Sequence, residues 1–366
     1  MKIGIITFHN ALNAGAILQA YALQTFLTQL GHTVEFIDYA PSRKYTLRNY
    51  IAKSPIAMLK KWLNIYHGKK YMKYGNYNKI LTLSPNTYKN YEELKKCPPE
   101  YDIYIAGSDQ IWNFYTSLSP AYMLDFVPLG KKKISYAASM GQCRIDKSLY
   151  EDFKTKLKSF NAISLREKNG VDFVNTLFKG EKLAHQTLDP TLLIDTNYYY
   201  KIIDNVKVKP EHYICTYILA KLDKENSEII NSIKSRLKLN IINVRNPDTC
   251  IWLTHAQNTI VTPYKWLYFI KNSDFVICCS FHAVVFSLIF HKPFIAIIPP
   301  IEKNKGGNMR INSLLNEFEL TNRIISHYDH KLIEKTIMNN IDWNFVDNKI
   351  KILRKSSIDF LLEQLH

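Results

Sequence analysis

The chain has 366 residues, 46% of them hydrophobic and 22% charged, and a formal net charge of +16. This is the profile of a globular protein with enough apolar material for two cores. It excludes a membrane-spanning class: the nearest candidate, 275–298, is broken by His282, His291 and Lys292 and leaves no uncharged apolar run of about 18 residues.

The first ten residues, "MKIGIITFHN", have too short an apolar run and no small-residue cleavage site for a signal peptide. "KIGIITF" reads as a strand and "HNALNAG" as a loop. "AILQAYALQTFLTQL" then places Ile17, Leu18, Tyr21, Ala22, Leu27 and Leu30 at helical spacing, with Gly31 as the terminating glycine. "HTVEFIDY" is the next strand, and the strand–helix–strand order implies a right-handed parallel crossover. The start of that helix, "NAGA", carries one glycine, which permits a close backbone approach but is no dinucleotide fingerprint.

From Tyr39 to Tyr91 there is no Asp or Glu, while eleven basic residues fall between Arg43 and Lys89, interleaved with Trp62 and several tyrosines. This basic, partly helical insertion (about 40–91) has three readings: a solvated face, a surface for anionic lipid or an anionic acceptor, and a nucleic-acid contact. No recognition module accompanies the charge, so nucleic acid is not expected as a partner.

Strand-like runs recur at "YDIYIAG", "KKISYAAS", "NAISLRE" and "AHQTLD". The pattern weakens around 195–210, where "YYYKIIDNVKVKP" reads as a linker. A second alternating series follows: "HYICTYILA", a helix over 223–238, "NIINV", a helix over 263–272, a strand over 274–279, a helix over 281–291, and "PFIAII". These runs predict an α/β fold with two doubly wound Rossmann-like domains facing a cleft. The expected divisions are 1–198, 199–344 and a C-terminal helix over 345–366, the first on the acceptor side and the second on the donor side. The six cysteines form no CxxC pair and are expected as free thiols of a reducing cytoplasm rather than a zinc site.

Ligands of such sheets bind beyond the carboxyl ends of strands, which selects Gly107, Ser108 and Asp109, Arg166, Asp189, and Ser280 with His282. If Ser280 caps the following helix, His282 lies in the first turn, where unpaired N–H groups favour phosphate or carboxylate. A histidine there can exchange a proton near neutral pH or simply hydrogen-bond a neighbouring loop. Arg166 can fork onto an anion or pair with a nearby carboxylate. Arg310 follows a double glycine in "GGNMRINSLL" and can be delivered to an anion or lie exposed. Asp109 and Asp189 suit sugar hydroxyls, base chemistry or turn formation alike. No Walker A, HExxH or GxSxG sequence occurs.

Together, "NAGAILQAYALQTFL", "IAGSDQIWN", "ISYAASMG", "ISLREKNG", "LDPTLL", "SFHAVVFSLIFHKPF" and "RINSLL" resemble the polysaccharide pyruvyl transferase family. The resemblance implies a two-domain fold similar to GT-B glycosyltransferases and transfer of pyruvyl from phosphoenolpyruvate to a surface-polysaccharide sugar or its lipid-linked precursor. It implies His282 as acid and base, and Arg166 as a donor contact, with Arg310 and Ser280 added to the donor side. Asp109 and Asn13 are assigned to the acceptor. Two departures stand out: Ser280 where some relatives carry arginine, and Ala283 where many carry glycine. No cofactor or metal is required by this chemistry. A nucleotide-sugar glycosyltransferase on the same fold and a non-catalytic polysaccharide- or membrane-binding protein are the alternatives.

The expected location is cytoplasmic, with peripheral association at the inner membrane face as one use of the basic run. In that case binding to anionic vesicles falls steeply with salt and is lost when Lys60, Lys61, Lys69 and Lys70 are neutralised, as vesicle co-sedimentation would read.

Overall fold

The computed structural model describes residues 1–41, 80–114, 119–141, 146–181, 183–203, 206, 211–219, 223–246, 251–298 and 309–365. Most of the basic run (42–79), Cys143, Cys250 and the double glycine before Arg310 lie outside the described residues. Strands β1 (Lys2–Ile6), β2 (Thr33–Tyr39), β3 (Leu83–Tyr88), β4 (Ile103–Ala106) and β5 (Lys132–Ser135) form one parallel sheet in the order β3-β2-β1-β4-β5. A parallel pair, β6 (Ile163–Leu165) and β7 (Ala184–Gln186), continues it through bridges Ile134–Ala162 and Ala138–Leu165. The second parallel sheet takes β8 (Tyr213–Tyr217), β9 (Asn240–Arg245), β10 (Gln257–Ile260), β11 (Phe275–Cys278), β12 (Phe294–Ile297) and β13 (Ile324–Ile325) in the order β10-β9-β8-β11-β12-β13.

The described helices are α1 (Ala14–Gln29), α2 (Tyr91–Lys96), α3 (Tyr150–Lys158), α4 (Lys168–Phe178), α5 (Thr196–Ile203), α6 (Lys224–Leu237), α7 (Pro263–Lys271), α8 (Phe281–Ile289), α9 (Met309–Glu317), α10 (His330–Met338) and α11 (Trp343–Leu365). Central strands β4, β11 and β12 are buried along their whole length, as strands covered by helices on both faces must be.

Local chemistry fixes the helix ends that matter for the site. Asn13 caps α1 through its side-chain oxygen, which accepts from Gly15 N and Ala16 N. Gly31 ends the helix at φ +84°. Its N–H donates to Thr28 O at 3.0 Å and the next N–H, of His32, donates to Leu27 O at 3.3 Å, the paired bonds of a Schellman turn. Helix α8 is apolar on nearly every side, and Phe281 through Leu288 are all buried; a helix of that kind has no solvent face.

One expectation changes here. The stretch read as a linker from Tyr198 begins inside α5, whose Tyr199 is fully buried and donates its hydroxyl to Thr191 O at 2.8 Å. Beside one apolar cluster confined to the first half of the chain and one confined to the second, the two sheets share a third. It runs from Ile3, Phe36 and Ile105 of the first sheet through Leu23 and Tyr199 to Trp266, Phe286, Phe294 and Leu361.

Phe286 sits inside that shared cluster, its ring 5.0 Å from Tyr199 and 5.5 Å from Trp266 in edge-to-face contacts. Replacing Phe286 with Ala is expected to lower stability by about 3–5 kcal/mol, read from urea denaturation.

Candidate active site

In each sheet there is one place where the strand order reverses: between β1 and β4 in the first and between β8 and β11 in the second. Crevices at the carboxyl ends of such strands receive ligands. Thr7 after β1 donates to Ser108 O after β4 at 2.6 Å, closing the first switch point. Ser280 and His282 follow β11 at the second. The two switch points face each other, since a Cβ built on Gly15 at the start of α1 would lie 2.3 Å from His282 Nδ1.

Asp189, just past β7, is the residue that ties these parts together. Its Oδ2 accepts from Arg166 Nη1 at 2.6 Å and from Ser108 Oγ at 3.2 Å. Its Oδ1 accepts from Thr191 N at 3.1 Å and Thr191 Oγ1 at 2.7 Å. His282 Nε2 stands 3.4 Å from Oδ2, without the alignment of a hydrogen bond. Burial of this carboxyl favours its neutral form, but His282, Arg166 and Thr191 overcome that and hold its pKa well below the usual carboxylate range.

Arg166 is engaged rather than free. Besides Asp189, its Nε donates to Glu167 Oε1 at 3.2 Å, and its guanidinium lies 4.0 Å from the centre of the Phe281 ring. Burial opposes the guanidinium charge, while Glu167, Asp189 and Asp109 raise the pKa above its ordinary value. Glu167 is itself held by Ser139 Oγ at 2.6 Å. Of the two alternatives open for Arg166, the pairing with carboxylates is present, so one of the two arginines already carries compensated charge.

Arg310 opens α9 and reaches the same cluster. With the Gln110 amide oriented so that its nitrogen faces Asn113, its oxygen accepts from Arg310 Nη1 and Nη2 at 3.0 Å each. Burial and then repulsion from Arg166 lower its pKa, against the pull of Asp109, Glu167 and Asp189. Two guanidiniums close enough to repel are stabilised by an anion placed between them. Arg166, Asp189, Phe281 and Arg310 line a cavity of about 100 Å³ together with Gln186, Thr187, Leu188, Ser313, Leu314, Glu317, Phe318, Leu353, Ser356 and Ser357; His282 stands beside Asp189 and is not among the lining residues.

Among the described residues, four buried polar atoms in this cluster have no hydrogen-bond partner: Arg166 Nη2, Arg310 Nε, Glu167 Oε2 and His282 Nε2. Buried polar groups are almost always paired, so their concentration in one place makes this the candidate site for a polar ligand.

The remaining predicted residues divide. Ser280 occupies the N-cap position of α8 with extended backbone, but its side chain makes no capping bond; the first-turn N–H groups near His282 are to that extent left open. Asp109 is buried at φ 72°, and its Oδ1 accepts from Gln110 N at 2.8 Å. It shapes a left-handed turn, a conformation that aspartate tolerates better than most residues. Asn13 is occupied as the α1 cap and lines a separate narrow groove. Sequence reasoning passed over Glu167, Ser139, Gln110, Phe281 and the contact between Gly15 and His282. Only Glu167 carried a signal, as the acidic neighbour in "SLRE". Among the described residues no cluster of metal-ligating side chains occurs, and no helix is long and apolar enough to cross a membrane.

Two parallel sheets with apposed switch points define the fold of the GT-B glycosyltransferases and their epimerase relatives. The chain is similar over 99% of its length to UDP-GlcNAc 2-epimerase from Neisseria meningitidis (TM-score 0.51, 10% identity, 100% of that chain). It is likewise similar over 99% to UDP-N-acetylglucosamine 2-epimerase from Rickettsia bellii (0.51, 11%, 96%) and to the glycotransferase of kitacinnamycin (0.52, 10%, 98%). No curated protein matches it in sequence. Residues 13–299 match the polysaccharide pyruvyl transferase family, and the chain belongs to that family.

Asn in place of Asp189 leaves Arg166 short of a buried partner and is expected to cost about 3 kcal/mol, measured by chemical denaturation at pH 7. Because the folded-state pKa of Asp189 is depressed, its stabilisation is present above the unfolded value of about 3.9 and is lost as pH falls. The stability gap between wild type and Asp189→Asn should therefore close on acidification below about pH 4.

Proposed function

We propose that the protein transfers the pyruvyl group of phosphoenolpyruvate to two hydroxyls of a polysaccharide sugar or its lipid-linked precursor, releasing phosphate and leaving a cyclic ketal. The observation that carries this reading is the group of unpaired buried polar atoms at the junction of the sheets, with Arg166 Nη2 and Arg310 Nε as donors. In the proposed complex these donors, with the first-turn N–H groups of α8, hold the carboxylate and phosphate. Asp189 and Glu167 fix the Arg166 guanidinium before the donor arrives, so little is spent on ordering it.

His282 is assigned the proton transfers. Protonation of the methylene carbon makes C2 electrophilic and oxocarbenium-like. A sugar hydroxyl adds to C2 and loses its proton. A second hydroxyl then displaces phosphate at the same carbon and closes the ketal. His282 delivers its proton to the methylene carbon and regains one from the first hydroxyl, and the proton of the second hydroxyl leaves with the departing phosphate. Ser280 lies beside this histidine at the helix entry and is placed with the donor, while Asp109 and Asn13 are placed on the acceptor side.

Phosphate release from phosphoenolpyruvate, followed against a panel of simple and lipid-linked glycosides, tests the reading. His282→Ala should lower turnover by about 10²–10⁴-fold, and near-normal turnover in that variant would remove the assignment. Protection from unfolding by a nucleoside diphosphate, with none by phosphoenolpyruvate, would favour a nucleotide-sugar donor instead.

A further inference from the structure

One glycine of α1 stands where the helix by itself would be better served by another residue. Gly15 has the ordinary right-handed backbone of α1, unlike Gly31 at φ +84°, so no left-handed turn calls for it. Within a helix, glycine is less favourable than alanine. The reason for glycine lies across the junction of the sheets. A Cβ built on Gly15 would lie 2.3 Å from His282 Nδ1, 2.4 Å from its Cγ and 2.5 Å from its Cβ. Non-bonded carbon atoms settle at about 3.5–4.0 Å, so a methyl group and the imidazole cannot both occupy this place.

Both partners are fixed. The first turn of α1 is held by Asn13, whose Oδ1 accepts from Gly15 N at 2.9 Å and from Ala16 N at 3.4 Å. Leu12, just before the cap, accepts at its carbonyl from Asn246 Nδ2 at 2.9 Å, which ties the helix start to the second sheet. His282 is 5% exposed, in a helix buried from Phe281 to Leu288. Asp189 meets the far edge of its ring, with Nε2 standing 3.4 Å from Oδ2. The imidazole is thus held at two edges, by the bare Cα of Gly15 behind Nδ1 and by the carboxylate before Nε2. A side chain at position 15 has to turn or push the ring, and either one changes where Nε2 stands against Asp189.

From this we propose that Gly15 is a positioning residue, which seats the His282 imidazole in the orientation from which it exchanges protons. A helix of the first sheet's half then sets the geometry of the acid–base group carried by the second. The catalytic consequence rests on the pyruvyl-transfer reading; the seating does not. A proton donor displaced by about 1 Å loses on the order of 10²-fold in rate, while the guanidiniums assigned to the donor stay where they are.

The test is a double-mutant cycle in the full-length protein, with Gly15→Ala, His282→Ala and the two combined. Phosphate release from phosphoenolpyruvate is followed with the most active glycoside of the panel. Gly15→Ala should lower kcat about 100-fold with both KM values unmoved, and should bring no further loss in the His282→Ala background. In urea, Gly15→Ala should destabilise wild type but not His282→Ala, where the methyl fills space that the ring has left. In the NMR spectrum of isotope-labelled histidine, the ring signals that His282→Ala removes should shift in Gly15→Ala while those of the other histidines hold. Near-normal kcat in Gly15→Ala, a change confined to KM, or an equal fractional loss in both backgrounds overturns the positioning role and leaves pyruvyl transfer intact. An unmoved His282 ring signal, or equal destabilisation in both backgrounds, overturns the seating itself. If wild type releases no phosphate with any glycoside, the pyruvyl-transfer reading falls, and the ring signal with the urea cycle decides the seating.

Discussion

One buried carboxylate organises the junction of the two sheets. Asp189 is shared among Arg166, Ser108 and Thr191, with His282 close by, so groups from β4, β6, the segment after β7 and α8 converge on it. A buried anion survives only if its surroundings supply enough donors and positive charge, and every one of these partners meets that condition at once. The arrangement constrains the chemistry as well. Arg166 is fixed in orientation by Asp189 and Glu167, leaving Nη2 as its unpaired donor, while Arg310 carries the less compensated charge. The Phe281 ring under Arg166 fastens the second half of the chain to the first at the same point.

Much of the fold was legible because buried parallel strands leave long apolar runs. "KIGII", "YIA", "FVIC" and "FIAI" announce themselves, and α1 is marked by its period, its asparagine cap and its closing glycine. Elements with polar or broken sequences were not legible. Strand β10 reads "QNTI" and lies at an edge of the second sheet, and β3, with Pro85, lies at an edge of the first; edge strands carry less apolar sequence because one side is not packed. Helix α5 was hidden by its three consecutive tyrosines, of which Tyr199 is buried against Phe286 of α8, a residue far along the chain.

The candidate site was legible as a set of positions and not as a set of partnerships. Strand-end reasoning pointed to Asp109, Arg166, Asp189 and His282, and the chain brings the last three into one cluster. Sequence spacing carries no information on which carboxylate Arg166 meets 23 residues away. Nor does it reveal that Gly15 must lack a side chain because an imidazole from residue 282 lies against it. Such constraints arise from contacts between distant segments, and the family resemblance compensated by supplying motifs in which those contacts are implicit.

The continuous apolar cluster linking both sheets sets how the molecule can open. Halves joined by a thin polar seam can swing apart about a hinge, whereas a large hydrophobic interface suppresses such motion. Here Tyr199, Phe286 and Trp266 pack edge to face inside the cluster that the two sheets share. Wide gaping would expose them to water at a cost of several kcal/mol, at about 1.5–3 kcal/mol per large side chain. The shared core therefore opposes wide separation of the two sheets around the imidazole.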